Sequence, residues 1–374
     1  MSGITAITMP KFGLSMTEGK IVGWSKREGD EVNVGDDLVD IETTKITNAF
    51  ESPVKGVLRR HIAKRDEDLP VGALIAVVAD AKTADAEIDE FVARFQAEFS
   101  VDQDNSGAPA APEPKTIETN GQRIRYLDLG SGEGAPVVFI HGFGGDLNNW
   151  LFTQPAIAAH HRTLAIDLPG HGGSSKDAPA TIAELAAAVS NTLAELSVAR
   201  AHLVGHSLGA AIALQMGLTN PAQVASLTLI APAGLSETID GDFIAGMVEA
   251  DRRKTLEPVL QKLFVNKSLV SRDMIEEFIK FKRLDGAKAA LSAIAAANFR
   301  DAKQSVIFLP RLGELPMPVQ IIAGAKDEIL APPDVAYLPT KIAFHSLEAS
   351  GHMPHMERAA EVNALIEDFV DRSA

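Results

Sequence analysis

A serine flanked by glycines is the first feature of this chain that could do chemistry. Gly205-His206-Ser207-Leu208-Gly209 follows an apolar run and leads into a helix-like segment rich in small residues. A Gly-x-Ser-x-Gly turn between a strand and a helix lifts the serine hydroxyl clear of the sheet edge, because glycine tolerates the strained turn and lets the helix pass close to the strand. The pattern predicts a nucleophilic Ser207 at the positive end of a helix.

A serine hydroxyl becomes an effective nucleophile when a histidine removes its proton and a carboxylate orients that histidine. Late in the chain, Asp327 follows one apolar strand and His352 follows the next. We therefore predict a triad of Ser207, Asp327 and His352. Glu328 is the weaker alternative for the acid, and His355 is the weaker alternative for the base.

Residues of the Ser207 turn, and of two glycine-rich loops that begin at His141 and after Asp167, are expected to support this triad. The backbone N–H groups of Phe143 and Leu208 are predicted to bind the oxyanion of the tetrahedral intermediate, at ~3–4 kcal/mol per donor. Three further histidines, His141, His171 and His206, lie in the motif loops. We expect them to pack or to orient the backbone, and not to transfer protons.

These residues need a sheet whose strand ends lie together, and from Thr116 onward apolar strands alternate with helices. Such alternation predicts a mostly parallel sheet with helices on both faces. Three motifs carry a resemblance: His141-Gly142-Phe143-Gly144, Asp167-x-Pro169-Gly170-x-Gly172-x-Ser174 and the Ser207 turn. In order and spacing they resemble the α/β-hydrolase superfamily, which implies this fold for residues 117–374. A helical cap is expected at about 235–315, with helices at Met274–Phe281 and Ala287–Ala297.

The predicted cap has thirteen basic and twelve acidic residues, while the whole chain has a net charge of −15. An ordinary solvated helix surface explains these charges. The alternative interpretation is that some of them bind the phosphates of an anionic acyl acceptor such as coenzyme A. The candidates for these contacts are Arg252, Arg253, Lys254, Lys280, Lys282 and Arg283.

Residues 1–80 contain many short apolar runs separated by turn residues, which predicts a small all-β domain. An internal repeat at an offset of 37 residues aligns Gly19-Lys20-Ile21 with Gly56-Val57-Leu58, and predicts a two-fold sandwich. Between the two halves, residues 38–50 alternate on either side of Thr44-Lys45, as in a hairpin with that pair at its tip. A lone lysine at such a tip is ordinarily a solvated charge.

The surroundings of Lys45 resemble those of a known modified lysine. Glu28-Gly29-Asp30-x-Val32, Ile41-Glu42-Thr43-Thr44-Lys45 and Glu51-Ser52-Pro53-x-x-Gly56 are similar to the lipoyl domains of 2-oxo acid dehydrogenase complexes over residues 4–79. The resemblance implies an amide-linked lipoyl group on Lys45. Thr44 departs from the family's usual aspartate. A biotinyl domain shares the fold and is the alternative, but it would have methionine on both sides of the lysine.

The connector at 81–116 is acidic and then rich in proline and alanine. Asp85–Phe99 has apolar residues at helical spacing, which predicts an amphipathic helix that either docks on a neighbouring domain or recruits a partner subunit. Ser100–Lys115 is typical of a flexible linker with a reach of roughly 20–25 Å. The connector leaves no room for the small subunit-binding domain that related acyltransferases carry.

Composition excludes several classes of function. The length of 374 residues fits two to three domains, and the acidic balance argues against binding to nucleic acid or to an anionic membrane. Absence of cysteine excludes disulfides and thiolate metal sites, and we expect no metal. We see no membrane-spanning stretch and no signal peptide, and we expect a cytoplasmic protein.

The complete chain resembles the acyltransferase components of acetoin dehydrogenase complexes, in which an α/β-hydrolase domain replaces the usual acyltransferase core. The resemblance implies acetyl transfer from the dihydrolipoyl group on Lys45 to coenzyme A by the Ser207 triad. It also implies three associations: with a thiamine-dependent acetoin dehydrogenase, with a dihydrolipoyl dehydrogenase and with further copies of the chain in a homo-oligomer. Two alternatives remain open: a lipoyl-tethered thioesterase or carboxylesterase, and a carrier or scaffold subunit.

Overall fold

The structure is a computed structural model and describes residues 4–10, 18–42, 47–105 and 112–373. Contacts divide the chain into two compact units. The N-terminal unit comprises Met1–Glu113 and Ser271–Met274, and the C-terminal unit comprises Pro114–Val270 and Ile275–Ala374. The lysine predicted to be modified, Lys45, lies outside the described residues.

The described part of the N-terminal unit forms two four-stranded antiparallel sheets. Their strands are β1 (Ile4–Thr8), β2 (Glu18–Trp24), β3 (Glu31–Val32), β4 (Asp37–Glu42), β5 (Thr47–Glu51), β6 (Gly56–His61), β7 (Asp68–Pro70) and β8 (Leu74–Ala79). One sheet has the order β1-β8-β6-β3 and the other β5-β4-β2-β7. The 37-residue offset carries β2, β3 and β4 onto β6, β7 and β8 within one residue, so the predicted repeat is confirmed.

Strands β4 and β5 form the hairpin that the alternation predicts. Their antiparallel pairing runs from Asp37 opposite Glu51 to Glu42 opposite Thr47. The four residues 43–46 therefore connect the two strands, and Lys45 is one of them.

Helix α1 (Asp85–Asn105) packs on the sheets of its own unit. Ile88 is fully buried in a cluster with Leu74 and Val77 of β8, and Phe91 and Phe95 pack against the same cluster. The first turn is further fixed by two arginines of β6, since Arg59 Nη2 lies 2.9 Å and Arg60 Nη2 lies 3.5 Å from Asp85 Oδ1. The helix ends six residues beyond the predicted Phe99. These contacts make it a part of the β domain that precedes it.

The C-terminal unit is built on an eight-stranded sheet. The strands of this unit are β9 (Lys115–Thr119), β10 (Gln122–Leu129), β11 (Val137–Ile140), β12 (Thr163–Ile166), β13 (Ala201–His206), β14 (Val224–Ile230), β15 (Phe299–Arg300), β16 (Lys303–Gln304), β17 (Val319–Gly324) and β18 (Ala343–Leu347). Strands β15 and β16 form a separate small hairpin, and the other eight have the order β18-β17-β14-β13-β11-β12-β10-β9 among the described residues. Strand β10 pairs antiparallel with β9 and with β12, and the remaining pairs of the sheet are parallel.

Helices cover this sheet and fill the segment between β14 and β17. They are α2 (Gln154–Ile157), α3 (Ile182–Glu195), α4 (Leu208–Thr219), α5 (Gly241–Glu249), α6 (Arg253–Gln261), α7 (Arg272–Lys282), α8 (Ala287–Asn298), α9 (Pro354–Glu357) and α10 (Ala359–Ser373). Helices α5–α8 lie in the predicted cap segment, and α7 and α8 contain the two predicted helices. Among the described residues, no helix is long and apolar enough to cross a membrane.

The central strands are buried along their whole length, which explains their continuous apolar sequences. Every residue of β11, β12, β13, β14 and β17 is buried. Strands of a parallel sheet covered on both faces have this composition, because neither face meets water. The carboxyl ends of parallel strands meet at one edge of the sheet, and the residues that follow β11, β12, β13 and β17 carry the predicted motifs.

Candidate active site

Ser207 occupies the turn between β13 and α4 in a strained backbone conformation. Its φ is 52° and its ψ is −114°, a region that residues with a side chain rarely adopt. The backbone N–H of Ser207 donates to the carbonyl of Ile230 at 2.9 Å, and its own carbonyl accepts from Ala233 at 3.1 Å. The last residue of β14 and the loop that follows this strand thus hold the turn on both sides. Such a strained turn is the geometry of a nucleophile elbow.

The two glycines of the motif allow helix α4 to pass close to the sheet. A Cβ on Gly205 would overlap the carbonyl of Gly209, and a Cβ on Gly209 would overlap the carbonyl of Ile140. Neither φ is positive. The glycines are therefore required for close approach, while Ser207 itself takes the strained torsion.

Asp327 and His352 are brought together at the same edge of the sheet. Nδ1 of His352 donates to Oδ2 of Asp327 at 2.7 Å, and each side chain is only 2% exposed. The other oxygen, Oδ1, accepts from the backbone N–H groups of Ile329 and Leu330 at 2.8 and 3.0 Å. The carboxylate is thus fixed by its own loop, and it sets the tautomer that leaves Nε2 of His352 as the proton acceptor.

Neither sequence-based alternative shares this geometry. Glu328 points to the surface, where its Oε1 lies 3.2 Å from Nζ of Lys267. His355 is fully buried between the rings of Trp150 and His206, with centroids 4.7 and 4.8 Å away. Neither nitrogen of its ring has a hydrogen-bond partner among the described residues, and burial lowers its pKa to about 3.

The loop that carries His352 is held by Glu357, a residue that sequence reasoning did not identify. Its Oε2 accepts from the N–H of Gly351 at 2.6 Å, and its Oε1 accepts from the N–H of Val265 at 2.7 Å. The N–H of His352 donates to the carbonyl of Leu263 at 3.0 Å. The position of His352 therefore depends on a chain segment that follows α6, and burial raises the pKa of the Glu357 carboxyl.

His206 links the Ser207 turn directly to His352. Its Nε2 donates to the backbone carbonyl of His352 at 2.7 Å, and the two rings lie 4.8 Å apart. Burial holds the pKa of His206 well below its usual value, so the ring stays neutral. A neutral ring beside His352 adds no repulsion when the base takes a proton.

The predicted oxyanion donors flank Ser207. A Cβ on Gly142 would lie 3.1 Å from Cβ of Ser207, so the loop that carries Phe143 contacts the nucleophile. Leu208 is the first residue of α4, where backbone N–H groups have no partner within the helix. The structure records no hydrogen bond from the N–H of Phe143 or of Leu208 to any other described residue.

Of the two remaining motif histidines, His141 orients the backbone, as predicted from its place in the loop. Its Nδ1 donates to the carbonyl of Gly142 at 2.8 Å, and its Nε2 accepts from the N–H of Leu168 at 3.0 Å. This ring joins the loop after β11 to the loop after β12. His171 packs on it with ring centroids 5.0 Å apart, and burial lowers the pKa values of His141 and His171 to about 4 and about 3.

The six basic residues considered for phosphate binding differ in how they are engaged. Two arginines pair with nearby acids, Arg252 with Asp251 at 3.7 Å and Arg253 with Glu257 at 3.5 Å. On α7, Lys280 pairs with Glu277 at 2.7 Å, while Nζ of Lys282 donates to the carbonyls of Met247 and Ala250 at the end of α5. For the side chains of Lys254 and Arg283, the described residues provide no ion-pair partner.

Comparisons with known families agree with the two units. A family model of the α/β hydrolase fold matches residues 135–359, and a model of biotin and lipoyl domains, described as a biotin-requiring enzyme, matches residues 5–78. Among solved structures, a bacterial membrane phospholipase A has a TM-score of 0.60 at 25% identity, covering 77% of this chain and 94% of its own. A meta-cleavage product hydrolase from Pseudomonas fluorescens has a TM-score of 0.62 at 21% identity, covering 70% and 98%.

Two curated relatives match nearly the whole chain. The dihydrolipoyllysine-residue acetyltransferase component of the acetoin cleaving system of Pseudomonas putida is 46% identical over 97% of both chains. The component of the same name from Cupriavidus necator is 39% identical over 97% of this chain and 96% of its own. The chain therefore belongs to the family of dihydrolipoyllysine-residue acetyltransferase components of acetoin cleaving systems, and it is an acyltransferase that joins a lipoyl-type domain to an α/β-hydrolase fold.

Proposed function

We propose that Ser207 accepts an acetyl group from a thioester and passes it to coenzyme A, with His352 as base and Asp327 as its orienting acid. The observation that carries this proposal is the 2.7 Å hydrogen bond between His352 Nδ1 and Asp327 Oδ2, in the unit whose Ser207 sits in a strained turn. Together these features supply an activated nucleophile and a proton acceptor of fixed tautomer.

In the first half of the reaction, Nε2 of His352 takes the proton of Ser207 Oγ as this oxygen bonds to the thioester carbonyl carbon. The N–H groups of Phe143 and Leu208 bind the resulting oxyanion. When the carbon–sulfur bond breaks, His352 returns the proton to the leaving sulfur, and the acetyl group remains on Ser207 as an ester.

In the second half, His352 removes the proton of the coenzyme A thiol as the sulfur bonds to the carbonyl carbon of the acetyl ester. The bond to Ser207 Oγ then breaks, and His352 returns the proton to that oxygen. The buried, neutral His206 and His355 keep the surroundings of His352 free of other positive charge in both halves.

The lipoyl-type domain and the acetyltransferase relatives support a covalent lipoate, and we propose Lys45 as its attachment site. The described residues fit this group, because β4 and β5 pair up to Glu42 and Thr47 and leave Lys45 within a four-residue connection. A lysine amine at that position can form an amide with the carboxyl group of lipoic acid. When bound, the group supplies a thiol that carries the acetyl group as a thioester.

For the phosphates of coenzyme A we propose the basic residues of the cap, chiefly Lys254 and Arg283. The other four candidates, Arg252, Arg253, Lys280 and Lys282, already engage carboxylates or carbonyls. If one of these four side chains is to bind a phosphate, it must weaken or break its present contact with a carboxylate or carbonyl. The guanidinium group of Arg283 and the ammonium group of Lys254 have no such contact to lose among the described residues.

The relatives are components of acetoin cleaving systems, which implies other components. We propose that these are a thiamine-dependent acetoin dehydrogenase, which loads the acetyl group, and a dihydrolipoyl dehydrogenase, which reoxidises the dithiol. Assembly of the chain into a homo-oligomer, and its location in the cytoplasm, belong to the same proposal.

The test uses the full-length lipoylated chain, acetylated on its lipoyl group, with and without coenzyme A. We expect acetyl-coenzyme A to form, and its formation to be lost in Ser207→Ala. Release of acetate at an equal rate without coenzyme A would instead identify a thioesterase. Absence of turnover in a chain whose lipoylation is verified by intact mass would leave a carrier or scaffold.

The attachment site is tested with a matched pair of lysine variants. Lys45→Arg should abolish the mass increase that follows coexpression with a lipoyl ligase. Lys55→Arg, on an exposed residue of the same unit, should retain it. Addition of the mass of biotin, or retention of the lipoyl mass in Lys45→Arg, would overturn the assignment.

A further inference from the structure

Two side chains of the cap helix α5 span the space between the predicted base and the predicted oxyanion donors. The ring of Phe243 meets the ring of His352 edge to face, with centroids 6.4 Å apart and an interplanar angle of 62°. Four residues further along the helix, the methyl carbon of Met247 packs so close to Gly144 that a Cβ on this glycine would overlap it. Residues four apart lie on one face of a helix, so both side chains face the site together.

An acyl group on Ser207 must lie within this span. Its carbonyl oxygen points to the N–H groups of Phe143 and Leu208, and its ester oxygen lies next to His352. Because Gly144 directly follows Phe143, Met247 lies next to the predicted oxyanion donors, while Phe243 lies next to His352. Both side chains are only 3% exposed, so an acyl chain that extends toward α5 meets packed apolar side chains.

The wall is reinforced from a second helix. On α7, two ring carbons of Phe278 lie 3.3 Å from the position that a Cβ on Gly144 would occupy. Nζ of Lys282, one turn further along α7, donates to the carbonyl of Met247 at 3.1 Å and lies 5.9 Å from the centre of the Phe278 ring. This lysine ties the two helices together where they cover the oxyanion loop.

Helix α5 has little freedom to move away from the site. A Cβ on Gly246 would overlap Val259 of α6, so the two helices are in close contact behind Met247. At its first turn, Asp240 accepts from the N–H of Phe243 at 3.1 Å and pairs with Lys262 just after α6. A longer acyl chain therefore has to displace packed side chains, and not a mobile lid.

We propose that Phe243 and Met247 set the acyl-chain specificity of the enzyme and restrict Ser207 to short acyl groups such as acetyl. This inference rests on the proposed function, because it requires an acyl group on Ser207. The inference adds a limit on the length of the acyl chain, which cannot be read from the sequence motifs. The same apolar wall keeps water away from the acyl-enzyme and favours transfer over hydrolysis.

The test measures kcat/KM of the full-length chain for the p-nitrophenyl esters of acetic, butyric and hexanoic acid. In Phe243→Ala and Met247→Ala, the preference for butyrate or hexanoate over acetate should rise by about tenfold or more, since each methylene newly buried is worth about fourfold. Met247→Phe should shift the preference the other way. Leu284→Ala, which truncates an exposed apolar side chain just after α7, is the matched control and should leave the preference unchanged.

The outcomes separate this inference from the proposed function. Turnover that persists in Ser207→Ala overturns the proposed function. Turnover that depends on Ser207, with a chain-length preference that neither Phe243→Ala nor Met247→Ala changes, overturns the length limit alone. Near-ultraviolet circular dichroism verifies folding, and Met247→Phe keeps the inference testable if a truncation fails to fold.

Discussion

Replacing His355 by phenylalanine tests the arrangement of buried histidines and the assignment of the base. The His355 ring is fully buried against Trp150 and His206, and neither of its nitrogens has a hydrogen-bond partner among the described residues. An unpaired buried polar atom costs about 1–3 kcal/mol, while a slightly larger ring in a packed core offsets part of the gain. We expect His355→Phe to raise the free energy of unfolding at pH 7 by about 1 kcal/mol.

This gain should grow as the pH falls. Burial lowers the pKa of His355 from 6.5 to about 3, so between these values the unfolded chain binds a proton that the folded chain does not. The stability linked to His355 is therefore present above pH 6.5 and is lost at about 1.4 kcal/mol per pH unit on acidification. Phenylalanine has no such loss, and the advantage of the variant should increase by about 2 kcal/mol between pH 7 and pH 5.

The assay is urea unfolding at pH 7, 6 and 5, followed by the fluorescence of Trp150. The chain has two tryptophans, so both parent and variant carry Trp24→Phe to remove the signal of the N-terminal unit. Titrating groups distant from His355 cancel between the two proteins. An advantage that does not change with pH would refute the buried neutral state, and a loss of stability at pH 7 would mean that the nitrogens have partners in solution, such as a buried water. Turnover retained in a folded His355→Phe would exclude His355 as the base.

The other predictions concern the carboxylates and helix α1. Asp327→Asn should lower turnover by about 10³–10⁴-fold with the fold intact, because an amide does not stabilise the imidazolium of the base; a decrease of less than tenfold in single-turnover acylation would contradict its role. Glu357→Gln should destabilise the C-terminal unit by about 1–3 kcal/mol in urea unfolding, since the N–H of Gly351 loses a charged acceptor, and an unchanged midpoint would count against it. Ile88→Ala should cost about 2–4 kcal/mol and expose α1 to limited proteolysis, whereas the exposed Glu87→Ala should leave the cleavage pattern unaltered.

The residues that the sequence predicted well are those whose requirements are local. Gly205 and Gly209 are needed because one strand-turn-helix unit passes close to itself, and a window of five residues contains that information. The pairing of Asp327 with His352 was also predictable, because parallel strands bring the residues after their carboxyl ends together.

What the sequence did not reveal depends on contacts between distant segments. Glu357 accepts a hydrogen bond from Val265, 92 residues earlier, and no spacing rule connects the two. The contact between Phe243 and His352 was equally unpredictable. Periodicity places Phe243 on the apolar face of a helix, but it does not tell which residues that face packs against. On helix α1, the ring of Phe99 packs close to Gly72, a partner that local patterns do not identify.

The length of helix α1 also determines how many residues connect the two units. The helix ends at Asn105 and β9 begins at Lys115, so nine residues join them, where the sequence alone predicted a linker of sixteen. For tethers long enough to join two sites, effective concentration falls with about the −3/2 power of tether length, so nine residues in place of sixteen correspond to a local concentration about twofold higher. In the proposed acetyl transfer between the units of one chain, such tethering would make the rate independent of protein dilution.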